Sequence, residues 1–172
     1  VVHVLVTPAA LSIQRVVGVI SLIVISTFFK PVFALCLLPA LSVIFVWRAW
    51  RQCLTRRFVL WAVLINGTLL FTLGVQYLQQ YMFIDAGNAK IILAPFESIR
   101  YFEPSMEWII VKFFMSIAFP LSVTLLYRRQ LSEAPAVQLA WLIFAFGAAQ
   151  MVLLSETGIR ATHGNFWWGA QV

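Results

Sequence analysis

"FVLWAVLINGTLLFTLGVQYLQQ", residues 58–80, contains no charged side chain. A helix rises about 1.5 Å per residue, so about 20 residues cross a hydrocarbon layer roughly 30 Å thick. This stretch is long enough to do so. Lipid offers no partner to a backbone N–H or C=O, and a single segment satisfies all of its own groups only as a helix. The stretch therefore reads as a membrane-spanning helix, and it sets the class of the whole chain. The composition agrees: 62% of residues are hydrophobic, 10% are charged, and the mean hydropathy is +0.93. A soluble domain has about a quarter of its residues charged.

Further apolar runs lie on either side, at about 11–29, 32–47, 108–127 and 137–155. The run 32–47 is short and contains Pro39, and Lys30-Pro31 interrupts the chain just before it. Residues 11–47 are therefore expected to form a tight helical hairpin, with the other spans full length. The fold class expected is all-α: a polytopic integral membrane helical bundle of about five transmembrane helices plus the start of a sixth. Residues 1–172 read as a single transmembrane domain. The chain opens without Met and stops at Ala170-Gln171-Val172 inside an apolar segment, so it is expected to be a fragment of a longer polytopic protein, packing against the remaining helices of that parent chain. No cleavable signal pattern is seen at residues 1–10. Cys36 and Cys53 lack metal-ligand spacing, and neither a disulfide nor a metal site is expected.

The net charge of +6 suggests nucleic acid at first sight, but the arginines cluster at span ends, where they report membrane orientation instead. "RAWRQCLTRR" (48–57) gathers Arg48, Arg51, Arg56 and Arg57, and Arg128-Arg129 stand in another loop on the same side as Arg15. Residues 48–57 and 128–136 are thus expected in the cytoplasm, and 81–107 and 156–168 outside. Asp85, Glu97, Glu103, Glu107 and Glu156 then share the outer face, and of the acids only Glu133 does not.

The long outer loop, "MFIDAGNAKIILAPFESIRYFEPSMEW", alternates apolar residues with Glu97 and Arg100 at near-helical spacing between Ile91 and Phe102. It is expected to form an interfacial helix or a re-entrant element, acting either as a packing plug or as one wall of a cleft. The segment "LSETGIRATHGNFWWGAQV" (154–172) concentrates Glu156, Arg160, His163 and Asn165. Gly158 argues against a continuing helix, so a structured interfacial turn is expected. Arg160 offers a planar fork for phosphate or carboxylate, and His163 exchanges protons near neutral pH. Trp167-Trp168 read as an aromatic belt. Lys112 is expected to snorkel, with Glu103 or Glu107 as the alternative partner. Asn66, Gln76 and Gln150 suit interhelical hydrogen bonds, and Pro120 is expected to kink the fourth span. Four polar groups ending an apolar span should meet water or each other, so one cleft is expected to hold Glu156, Arg160, His163 and an acid of 97–107.

An acid-rich outer loop combined with "ETGIRATHGNFWWG" beside a span resembles the polytopic glycosyltransferases of the GT-C type, and in style the O-antigen polymerases and ligases. The family's DxD-like acid pair in the first outer loop has no counterpart between residues 1 and 172. The resemblance implies an enzyme of the cell envelope acting on polyprenyl-phosphate-linked sugars at the outer face of a bacterial inner membrane. Glu156, Glu103 and His163 would be its catalytic residues, and Arg160, Asn165 and Arg100 would bind substrate. No cofactor and no nucleic-acid partner is implied. Membrane lipids and the polyprenyl-phosphate-linked substrate are the expected partners. Two other readings remain open: a transporter or flippase for an anionic lipid-linked substrate, and a non-catalytic assembly subunit.

Overall fold

The computed structural model describes residues 13–51, 55–83, 89–100, 102–131 and 134–158. Two helices open it, α1 (Ile13–Phe29) and α2 (Pro31–Arg51), separated only by Lys30. The third, α3 (Arg56–Leu78), runs on through a π-helical turn at Gln79–Phe83. Strand β1 (Ile91–Leu93) and the short α4 (Glu97–Arg100) precede α5 (Met106–Leu126), a single turn α6 (Arg128–Leu131), α7 (Pro135–Leu153) and β2 (Leu154–Glu156). Four segments are long and apolar enough to cross a membrane: Pro31–Arg51, Arg56–Met82, Met106–Leu126 and Pro135–Leu153.

This corrects the expected spans at the start of the bundle. Ile13–Phe29 is a 17-residue helix within the described residues, and the segment 32–47, expected to be short, lies in a 21-residue helix. Pro39 lies inside α2 without ending it. A proline within a helix leaves the carbonyl four residues earlier without its N–H donor. For Pro39 that carbonyl is Leu35 O, and the Gln150 side-chain amide on α7 donates to it at 3.0 Å. The junction of α1 and α2 repeats the device. Pro31 cannot donate to Thr27 O, and Gln76 Nε2 on α3 does so at 2.7 Å. The two helices of the hairpin are therefore joined through the single residue Lys30, with each freed carbonyl capped from a neighbouring helix. In lipid an uncapped carbonyl would cost several kcal/mol.

Helix α2 is central. Ala34, Leu37, Ala40, Leu41, Ile44 and Phe45 on α2 pack with Ile23, Ile65, Leu69 and Leu139 from three other helices. Ala34, Cys36 and Ala40 are small enough for those helices to come close. Helix α5 is the opposite case, with no buried residue. Its ties to α7 are a 3.1 Å bond from Trp141 Nε1 to Thr124 Oγ1 and the stacking of Phe113 on Phe144. Helix α5 continues through Pro120 to Leu126.

In the loop expected as an interfacial helix or a re-entrant element, residues 89–100 form a strand, a turn and one helical turn. Strand β1 pairs antiparallel with β2, matching Ile91 to Glu156, Ile92 to Ser155 and Leu93 to Leu154. A helix leaves its last four carbonyls unbonded. Two of those on α7 are taken up here: Ala94 N–H donates to Leu153 O at 3.0 Å and Phe96 N–H to Val152 O at 2.7 Å. This need selects a strand-like approach over an amphipathic helix, and it turns the chain through Phe96 at φ 64°. Ser98 and Ile99 of α4 are then buried under the clip.

The interhelical bonds Gln76–Thr27 and Gln150–Leu35 fix the alternating directions of α1, α2, α3 and α7. Arg15, Arg48, Arg51, Arg56, Arg57, Arg128 and Arg129 consequently gather at one end of the bundle. Glu97, Glu103, Glu107 and Glu156 belong to the other, with Lys30, Lys90, Arg100 and Lys112.

Candidate functional site

At the acid-bearing end, α1, α2, α3 and the β clip surround a cavity of about 330 Å³. Its polar lining is Lys30 from the α1–α2 junction, Gln76, Tyr77, Gln80 and Tyr81 from the end of α3, and Glu156 from β2. Glu156 is 5% exposed, and its Oε1 accepts a hydrogen bond from the Tyr81 hydroxyl. Each partner is held by a distinct local feature. Pairing with Ile91 fixes Glu156, while the extra residue of the π turn sets where Tyr81 leaves α3. Tyr81 also stacks on Tyr77 with ring centroids 5.0 Å apart, giving the cavity an aromatic wall.

Gln76 is 7% exposed and oriented by its bond to Thr27 O. Reversing the amide would set two oxygens against each other, so the carbonyl freed by Pro31 settles the flip. Its Oε1 is buried with no hydrogen-bond partner among the described residues. A buried acceptor of this kind is filled by a donor, water included.

The residues singled out from sequence do not all converge. Glu156 lines this cavity. Glu103 lines another, where it forms an ion pair with Lys112. That pairing is the alternative expected for Lys112, with Glu103 as its partner. The Lys112 hydrogen bond, helped by the Ser105 backbone, holds the Glu103 carboxyl below the usual glutamate range. Among the described residues Glu156 and Glu103 therefore line different cavities, with the β clip and the end of α7 between them. Arg100 ends α4 and is exposed. Arg160, His163 and Asn165 lie outside the described residues. Among the described residues no group of three His, Cys, Asp or Glu side chains is placed to hold a metal ion.

Tyr77, Gln80 and Tyr81 were not singled out from sequence, although "QYLQQY" (76–81) carried a signal. Its polar and aromatic residues at 76, 77, 80 and 81 repeat at i, i+4 and so share one helix face. The arrangement suits a hydroxylated ligand: a carboxylate takes a donor, an ammonium meets an anion, and two phenol rings flank it. Comparison with protein-family models, with curated proteins and with solved structures finds no match to this chain.

Proposed function

We propose that this chain belongs to a multi-pass enzyme of a bacterial inner membrane that transfers a sugar from a polyprenyl-phosphate carrier, with the Glu156 cavity open to the extracytoplasmic side. The observation that carries the reading is a buried carboxylate that lines, with Lys30, Gln76, Gln80 and two tyrosines, a cavity at the end of an otherwise apolar bundle. The sidedness rests on the arginine-rich opposite end, since clustered arginines next to spans stay in the cytoplasm.

In this reading Glu156 is the general base. It takes the proton of the acceptor hydroxyl as that oxygen attacks the anomeric carbon. The bond from that carbon to the phosphate oxygen breaks, and the polyprenyl phosphate leaves with the bonding electrons. Tyr81 orients Glu156, and Lys30 supplies a compact positive charge for the departing phosphate.

The test uses proteoliposomes loaded with a short-chain polyprenyl-phosphate-linked glucose and a hydroxylated acceptor. Glu156→Gln keeps the shape of the side chain and removes the base, so transfer should fall by roughly 100-fold or more with the protein still folded. Unchanged turnover in that variant would remove Glu156 from the chemistry. Movement of the head group across the bilayer with no new glycosidic bond would make the protein a transporter instead.

A further inference from the structure

A second cavity, of about 670 Å³, follows the seam between α5 and α7. Small-molecule sites span roughly 300–1,000 Å³. Its lining is graded. Glu103 and Lys112 stand at the acid-bearing end, followed by Phe113, Ser116 and Phe144, with Pro120 furthest along α5. From Lys112 to Pro120 the groove follows the helix for on the order of 12 Å. Helix α5 has no buried residue, so in a membrane hydrocarbon chains meet the groove along its length. The gradient from charged mouth to apolar floor has the direction of a lipid standing in the leaflet at that end.

The mouth narrows the choice of head group. It presents one cation and one anion in contact, with Lys112 60% and Glu103 17% exposed at their side chains. A purely anionic head group meets repulsion from Glu103, and a purely cationic one meets repulsion from Lys112. A zwitterion satisfies both. Lys112 has three N–H donors and gives one to Glu103, which leaves two for a phosphate. A primary ammonium donates charge-assisted hydrogen bonds to the carboxylate, whereas a quaternary ammonium has no N–H to give.

We infer that the α5–α7 seam is a binding site for one phospholipid with a phosphoethanolamine head. Its phosphate sits on Lys112, its ammonium on Glu103, and one acyl chain lies toward Pro120. This site is separate from the Glu156 cavity and does not depend on the reaction proposed there.

The experiment is native mass spectrometry of the full-length protein in mild detergent with equal amounts of phosphatidylethanolamine, phosphatidylcholine and phosphatidylglycerol. The wild type should retain phosphatidylethanolamine about fivefold over either competitor, the ratio expected of one modest ion pair. Glu103→Gln leaves a cationic mouth and should move the preference to phosphatidylglycerol, while Glu103→Asp should keep the wild-type order. Ser116→Phe, which fills the groove below an intact mouth, should lower retention of all three lipids. Circular dichroism confirms that each variant is folded. Equal retention of the three lipids by the wild type, or a Glu103→Gln variant with unchanged preference, would overturn the assignment.

Discussion

Gln76 and Gln150 each donate to a main-chain carbonyl that lies four residues before a proline, Thr27 before Pro31 and Leu35 before Pro39. Each proline–glutamine couple acts as one unit although its members are far apart in sequence. Replacing Pro31 by Ala restores an N–H for Thr27 O and makes the Gln76 amide redundant there. A double-mutant cycle of Pro31→Ala and Gln76→Leu, read by reversible unfolding in detergent, should therefore show coupling of about 0.5–1.5 kcal/mol. Strict additivity would mean that the glutamine is not capping that carbonyl. Glu103 makes a second residue-scale case. Its folded pKa is depressed, so the stability it lends is complete above the ordinary glutamate value of 4.5 and is lost as pH falls through the lower folded value. Wild-type and Glu103→Gln melting curves should differ at neutral pH and converge in strong acid. A gap that persists at low pH would assign the difference to something other than the Lys112 pair.

Among the elements, α3, α5 and α7 were legible because each is a long, strongly apolar run bounded by charge or proline. Helix α2 was misjudged for a physical reason: a proline is a local signal, while the amide that compensates it comes from Gln150, 115 positions beyond the carbonyl it caps. No local pattern carries that information. The clip was missed for a related reason, since two three-residue strands are too short to show alternation. What selects them is the set of open carbonyls at the end of α7. Within the site, Glu156 was legible as an acid out of place in an apolar chain. Its separation from Glu103 was not, because the strand pairing that holds Glu156 joins segments distant in sequence, while Glu103 is held by the Lys112 ion pair.

At the scale of the whole molecule, the two ends of the bundle differ in charge chemistry. One has arginines with no acid among the described residues, and the other has the acids with scattered cations. This asymmetry orients the protein if the arginine-rich end stays inside. Single cysteines introduced at Ala49 and at Pro104, in a background without Cys36 and Cys53, should give opposite results with a membrane-impermeant maleimide on intact cells. Position 104 should label and position 49 should not. The reverse pattern would turn the molecule over and place the Glu156 cavity in the cytoplasm.

The β1–β2 pairing also dictates an order of manufacture. The ribosome completes Ile91–Leu93 before α5, α6 and α7 exist, and the partner Leu154–Glu156 comes only after all three. Until then β1 has an open edge, Glu156 is not yet in the chain, and the cavity it lines has no carboxylate. Nascent chains arrested just before Leu154 should expose a cysteine at position 92 to modification, and chains extended beyond Gly158 should protect it. Equal reactivity at both lengths would show that β1 is shielded by something other than β2. With protection confined to the longer chain, the protein acquires its candidate site last, once its final described helix is in the membrane.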